Sequence, residues 1–310
     1  MQRCNLWQWR QREFTWAFVR DRDFLLSGKL TPLKRDRTLT LLSSQTDSQS
    51  ADAARSTWCL AVECSGTGGS VCLSQRSAEN AKPEGLDATP EDVQQIIFPD
   101  NGGSVRHLAP AISTLLAEAN LASPDFLAVS VGPGSFTGLR VGLATIKLLA
   151  FAWQREIAPI DTLHAIAHSA AVRLAGSSQP HSATIVPVIN AFRKQVFTSA
   201  WHFVAVADGW SLKPLCAPIV CDAVQWQSDP LISVNGSSPP AADDPIVVAG
   251  PGLKTYRPAD DAVQQLARNP LAEDVAQVGW QHLQRGQLVS PDSLAPNYIR
   301  PSAAEEKQRS

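Results

Sequence analysis

The stretch Val129-Ser130-Val131-Gly132-Pro133-Gly134-Ser135-Phe136-Thr137-Gly138-Leu139-Arg140 holds the residue types and spacing best suited to chemistry. Gly132, Gly134 and Gly138 allow positive φ and close backbone approach. Amides exposed at the helix start that follows could hold an anion. A P-loop, however, ends in Gly-Lys-Ser or Gly-Lys-Thr so that an ammonium reaches the terminal phosphates, and here Gly138 is followed by Leu139 and Arg140. A nucleophilic serine elbow needs Gly-x-Ser-x-Gly; after Ser135, Phe136 and Thr137 precede Gly138. Ser135 or Thr137 is better read as a helix cap.

Other candidates carry less. His164 and His168 have the four-residue separation that places two imidazoles on one helix face, but Ala165 stands where a zinc peptidase carries its glutamate base. His181, His202 and His282 have no evident ligand companions, so no metal site is expected. The six cysteines, Cys4, Cys59, Cys64, Cys72, Cys216 and Cys221, contain no pair with a two-residue gap. Cys59, Cys64 and Cys72 lie in or beside apolar runs, where a free thiol behaves as a small hydrophobe. They read as reduced core thiols of a cytosolic protein.

These residues need elements to position them. Trp58 to Glu63 and Ser70 to Ser74 flank Ser65-Gly66-Thr67-Gly68-Gly69, a hairpin signal. Gln75 to Gln95 reads as a polar surface insertion, with a third strand near Ile96 to Phe98. Apolar positions recur at helical spacing from Val105 to Leu121. Phe126 to Val131 reads as a buried strand, and Thr137 to Trp153 as an almost wholly apolar helix. On that helix Arg140 and Lys147 share a face with Ala144 between them. Periodicity leaves open whether it is a core helix with snorkelling cations or an interface helix that small residues let a neighbour approach. A further helix spans Thr162 to Leu174, with Asp161 or Thr162 as cap and Gly176 as stop. Ala183 to Ile189 and Gln195 to Phe203 flank Asn190-Ala191-Phe192-Arg193-Lys194, a second hairpin. Ile246 to Ala249 is a strand running into Gly250-Pro251-Gly252, and Asn269 and Pro270 start a last helix that Gly286 closes. Alternating strands and helices predict an α/β or mixed-sheet architecture in two similar halves.

The length of 310 residues allows about two domains, and 44% hydrophobic with 18% charged residues is a globular balance. No run approaches the roughly 18 apolar residues of a membrane span. The net charge of −2 hides an asymmetry. Residues 1–56 hold ten basic and six acidic side chains, and the remainder seventeen and twenty-three, leaving the body at −6. Such a body gives no general field for nucleic acid, so RNA chemistry would need a partner to supply most phosphate contacts. Residues 1–56, with Trp7, Trp9, Arg10, Arg12 and Trp16, read as an extension or an upstream start, without an export signal.

Gly132-Pro-Gly-Ser-Phe-Thr-Gly-Leu-Arg140-Val-Gly-Leu-Ala144 resembles the signature of the TsaB (YeaZ) family, the non-catalytic subunits of the bacterial machinery that makes N6-threonylcarbamoyladenosine in tRNA. Leu60-Ala-Val-Glu-Cys-Ser65 resembles that family's opening strand and turn, Ile160-Asp-Thr-Leu163 its middle helix start, and Pro296-Asn-Tyr-Ile-Arg-Pro301 its C-terminal tail. The likeness covers roughly residues 57 to 305. It implies an actin-like, sugar-kinase-like and Hsp70-like (ASKHA) fold of two related α/β lobes, each a mixed sheet flanked by helices. The lobes would span 57–160 and 161–305, followed by a tail at 306–310.

By the same resemblance the chain would bind TsaD, the catalytic paralogue, and work with the ATPase TsaE. It would form a homodimer when alone, reach tRNA only through the complex, and stay in the cytoplasm away from membranes. The signature loop and partner interface would comprise Gly132, Pro133, Gly134, Ser135, Phe136, Thr137, Gly138, Arg140, Ala144 and Lys147. No catalytic or metal-binding residue is implied. A remnant nucleotide site would fall at Glu63, Ser65, Gly66, Thr67 and Asn190, leaving room for weak ATP or ADP binding. Glu63 replaces the family's usual aspartate, Ser104 stands where a histidine is common, His107 alone remains of the two metal-binding histidines of TsaD-like helices, and Asn190 replaces an aspartate. These departures speak against a working ATPase, since phosphoryl transfer needs charge neutralisation and magnesium seeks oxygen ligands. The alternative reading is an ASKHA small-molecule kinase or ATPase.

Overall fold

The computed structural model describes residues 56–77, 92–100, 103–177, 180–207, 209–234, 244–261 and 263–300. The expected extension, apart from Ser56, and the tail at 306–310 lie outside them. Twelve strands and five helices occupy the described residues. In chain order they begin β1 (Thr57–Glu63), β2 (Gly69–Arg76), β3 (Asp92–Phe98), α1 (Gly103–Glu118), β4 (Phe126–Gly132), α2 (Phe136–Trp153), β5 (Ile157–Asp161) and α3 (Thr162–Ala175). The second half continues with β6 (Ser182–Phe192), β7 (Gln195–Thr198), β8 (Trp201–Val206), β9 (Gly209–Pro214), β10 (Ile219–Asp222), α4 (Ala223–Ser228), β11 (Ile246–Ala249), β12 (Gln264–Leu266) and α5 (Ala272–Gln284).

The first sheet has the order β3-β2-β1-β4-β5. The β1–β2 hairpin is antiparallel, and β4 and β5 add on in parallel. Along β1 the pleat sends Leu60 and Val62 into a core with α1 and α2, and Cys59 and Ala61 into a second core with α5. A strand covered on both faces reads as an unbroken apolar run, which is why Trp58 to Val62 shows no alternation. Small side chains of β1 and β4 face α5, where a methyl added at Gly279 would come within 2.9 Å of the Ala128 Cβ of β4. Helix α5 thus packs on the first sheet. Cys59, Cys64 and Cys72 are buried free thiols, and burial holds the Cys59 and Cys72 thiols well above the ordinary range.

The second sheet has the order β10-β7-β6-β11-β12, with β8 on β6 and β9 on β8. Side chains of α3 fill one face, and Trp226 of α4 with Val234 and Leu253 fills the other. The strand expected from Gln195 to Phe203 is two strands. The β7 strand pairs with the C-terminal part of β6 and β8 with its N-terminal part. The ladder breaks opposite Pro187, which has no amide to donate; the Thr198 hydroxyl instead donates to the Pro187 carbonyl at 3.0 Å.

Capping chemistry sets the helix boundaries. Ser135 caps α2, accepting from the Gly138 amide at 3.3 Å, and Asp161 caps α3, accepting from the Leu163 and His164 amides. Asn269 and Pro270 do not start α5. Its first amides are taken instead by the Asp274 carboxylate at Leu271, the Ser70 hydroxyl at Ala272 and the Gln95 side chain at Glu273. Two of those acceptors stand on the first sheet, so the helix begins where the sheet can satisfy it.

His164 stacks on Trp201 with ring centroids 4.4 Å apart, and His168 meets Trp210 edge-on at 5.1 Å. Both imidazoles pack on aromatic rings. His168 is 3% exposed, and its burial, then the Arg76 cation, lower its pKa to about 4. From pH 6.5 down to about 4 the unfolded chain binds a proton at this position that the native chain refuses. The neutral ring's contribution is thus complete above pH 6.5 and lost on acidification, by roughly 1.4 kcal/mol per pH unit. His168→Leu should flatten the fall of unfolding free energy between pH 6.5 and 4.5 by about that slope. Urea titrations of both proteins at three pH values would show it, and parallel curves would refute the assignment.

Candidate functional site

A cavity of about 570 Å3 opens where turns from the two sheets converge. The first sheet contributes residues 65–68 between β1 and β2 with Gly69 at the start of β2, residues 133–137 entering α2, and Ile97 and Phe98 of β3. Across from them stand Ile189 to Phe192 of the β6–β7 hairpin, Phe197, the turn after β11, residues 269–271, and a C-terminal segment from Asn297 to Arg300.

The two first-sheet turns lock together at Glu63. Its carboxylate is 2% exposed, accepts from the Ser65 amide at 2.5 Å and from the Ser130 hydroxyl of β4, and burial raises its pKa. The loop glycines allow this approach. A Cβ on Gly134 would lie 2.6 Å from the Ser65 Cβ, and one on Gly138 would overlap the Cys64 carbonyl. Gly132, with φ of 116°, would drive a side chain against the Asn297 carbonyl. These glycines therefore serve packing of the chain on itself. The Ser65 carbonyl in turn accepts from the Ser135 amide at 2.7 Å.

The expected nucleotide residues Glu63, Ser65, Gly66, Thr67 and Asn190 do line one cavity. Glu63 is committed to Ser65 and Ser130, and Asn190 is neutral, with its carbonyl oxygen accepting from the Phe192 amide at 2.8 Å and its amide donating to Thr255 at 3.3 Å. No group of three or more His, Cys, Asp or Glu able to hold a metal occurs among the described residues. A hard cation would have to displace protein hydrogen bonds from a desolvated carboxyl.

The expected interface residues divide. Phe136, Thr137, Arg140 and Ala144 are exposed on α2, whereas Lys147 is half-buried and donates to the Leu294 carbonyl at 3.0 Å. Arg140 and Lys147 therefore do not form one outward cationic face. Beyond Ala144 the outer stripe continues through Leu148, 68% exposed, and Phe151, 74% exposed. The opposite face sets Gly138, Gly142, Ile146 and Ala150 against the sheet.

The C-terminal segment was legible only as a pattern, without roles. Asn297 donates its backbone amide to the Val131 carbonyl at 2.8 Å and its side-chain amide to Asp161 at 3.3 Å. Asp161, with its pKa pushed up to about 6 by burial, thus caps α3 and receives the strap. The Tyr298 ring packs on Phe136 at 5.4 Å and its hydroxyl accepts from Arg140, while Arg300 donates to the Ala191 carbonyl at 3.0 Å. An Asn-Tyr pair following Pro296 is too short a signal to show such long-range contacts.

Residues 103–216 match the family model described as TsaD, tRNA N6-adenosine threonylcarbamoyltransferase. The tRNA threonylcarbamoyladenosine biosynthesis protein TsaB of Bacillus subtilis is 30% identical over 112 residues, 36% of this chain and 45% of that one. The protein of the same name from Haemophilus influenzae is 35% identical over 97 residues, 30% of this chain and 38% of that one. The chain thus matches under half the length of these relatives. Among solved structures, a Pseudomonas aeruginosa protein described as similar to peptidase YeaZ aligns with TM-score 0.58 and 21% identity, covering 79% of this chain and all of that one. YeaZ from the same organism aligns with TM-score 0.57 and 22% identity, covering 78% and 99%. These neighbours have the ASKHA fold, and so does this chain.

The turn-to-turn contact gives a direct test. Gly138→Ala would force α2 away from the Cys64 carbonyl and should cost about 3 kcal/mol. The measurement is urea unfolding at pH 7, and a change below about 1 kcal/mol would contradict the close approach.

Proposed function

We propose that the chain is a member of the TsaB/YeaZ family, a reading supported by its partial matches to TsaB proteins and to the TsaD family model, and that it is a non-catalytic subunit for making threonylcarbamoyladenosine in tRNA. Its task in this reading is to bind a TsaD-type partner and favour that partner's active conformation by differential affinity. The observation that carries the reading is the outer stripe of α2. Ala144, Leu148 and Phe151 form an exposed apolar band, with the Arg140 guanidinium stacked on Phe136 at its start, on a helix whose inner face is packed against the sheet. Burying a leucine or phenylalanine of this kind contributes roughly 1.5–3 kcal/mol, and contiguous apolar surface on a folded protein marks an interaction site. Contrary to the sequence expectation, α2 is long and apolar enough by length and composition to cross a membrane, but its packing against β4 fits protein docking better. The same band would join two copies in the absence of the partner.

Catalysis is assigned to the partner because the carboxyl best placed for phosphoryl transfer is spent on Ser65 and Ser130. A TsaE-type ATPase would act on the assembled complex in the cytoplasm, and weak ATP or ADP binding would be incidental. The competing reading, a small-molecule kinase, requires ATP turnover by this chain alone that is abolished in Glu63→Ala.

Leu148→Asp and Phe151→Asp, both at exposed positions, should each weaken capture of purified TsaD at least tenfold while leaving the thermal unfolding midpoint within a few degrees. Titration calorimetry with TsaD, together with threonylcarbamoyladenosine content of tRNA in cells carrying each variant, would measure this. Full-strength binding by both variants would sink the docking assignment.

A further inference from the structure

The rim of the cavity has a charge opposite to that of the body. Residues 57–310 carry a net −6, yet Lys254 and Arg300 line the cavity, Arg193 and Lys194 continue the hairpin from its lining residue Phe192, and Arg140 lies over the Phe136 ring at 3.7 Å. The acidic side chains near them are Asp100, beside Gly68, and Asp222, which pairs with Gln195 across the ladder and caps α4. Among the described residues no ion pair engages Lys194 or Lys254.

The hairpin tip adds a second observation. Phe192, Arg193 and Lys194 all have positive φ, at 59°, 52° and 59°, a left-handed conformation that costs a non-glycine residue roughly 1–2 kcal/mol. Phe192 is 69% exposed at the cavity edge, and the exposed Arg193 and Lys194 follow it in the chain. Within the cavity Phe98, Phe136, Phe197 and Tyr298 supply further rings. Aromatic faces ringed by cations form the surface that single-stranded nucleic acid uses, bases stacking on rings and phosphates on Lys and Arg. A triphosphate with magnesium is a poor fit, because Glu63 is committed and Asp100 borders the 65–69 turn.

We propose that this cavity receives one unstacked nucleotide of a single-stranded RNA, with its base against Phe192 and the cavity rings and its flanking phosphates on Lys194 and Lys254. The choice of RNA rests on the role in tRNA modification proposed above; the ring-and-cation chemistry does not. The chain would then contact RNA itself, besides any contact made by its partner.

Fluorescence anisotropy of a labelled eight-nucleotide oligoadenylate RNA, titrated with the full chain at 50 and 200 mM KCl, tests this. Unlabelled AMP and the same RNA in duplex serve as competitors. The wild-type chain should prefer the single strand to the duplex. Phe192→Ala should weaken binding at least about fivefold with the salt slope unchanged. The double variant Lys194→Glu with Lys254→Glu should weaken it more than tenfold at low salt and lower the slope by about 1.4, at roughly 0.7 per lost phosphate contact. Comparison with the variants separates the rim from the basic residues 1–56. Binding indifferent to both variants, equal binding of the duplex, or AMP competing as tightly as the RNA would each overturn the proposal. Intact TsaD capture without rim-dependent RNA binding would overturn this inference alone, and the reverse pattern would overturn the subunit reading alone.

Discussion

The architecture turns on the contact between the end of β1 and the loop that precedes α2. Cys64 and Ser65 occupy the space where side chains on Gly134 and Gly138 would stand, and Glu63 joins the two segments through Ser65 and Ser130. Because α2 starts from this contact, its rotation about its own axis is set. Gly138, Gly142, Ile146 and Ala150, four residues apart, must face the sheet. The same rotation sends Ala144, Leu148 and Phe151 outward and puts the 133–137 loop in the cavity wall. An apolar outer band is therefore a consequence of how the inner face is held, and relieving it by rolling the helix would break the glycine contacts.

The C-terminal strap extends this constraint to the second sheet. Lys147 to Leu294, Asn297 to Val131, Arg140 to Tyr298 and Arg300 to Ala191 form a line of hydrogen bonds from the middle of α2 to the β6–β7 hairpin. The cavity is thus walled by turns that share a single tie. The outer band of α2 thus sits on a helix held at its start and its middle, so ordering it on docking would cost little, which is what preorganised binding requires. The hairpin tip, by contrast, is anchored at Asn190 and Ala191 but carries its strained residues in the open.

Much of this was readable from the sequence, and the failures have physical causes. Helices α2 and α3 were legible because Ser135 and Asp161 cap locally, through bonds to amides two or three residues on. The start of α5 was misplaced by two residues because its caps, Ser70 and Gln95, stand about two hundred residues away in the chain or on another element. The strand from Gln195 to Phe203 looked continuous because β-propensity does not register a proline on the opposite strand, here Pro187. Short strands β9, β10 and β12 lack the apolar alternation that identifies a half-buried strand. The signature loop was identifiable from its glycines, but their purpose was not. The same residue type serves ligand approach in a phosphate loop and self-packing here, and only the neighbouring Cys64 and Ser65 distinguish the two.

The burial of Glu63 bears on what chemistry the cavity can support. A carboxylate that organises magnesium and phosphate must remain solvated and charged until substrate arrives, which leaves an open, hydrated hollow between the sheets. In this chain the carboxyl is buried, its pKa is raised by desolvation, and its oxygens hold the two turns together. Desolvation weakens the group as a ligand for a hard cation and strengthens each hydrogen bond it makes in the low local dielectric. The rigidity that presents α2 thus comes from the same burial that disfavours phosphoryl chemistry, and a gain in one entails a loss in the other.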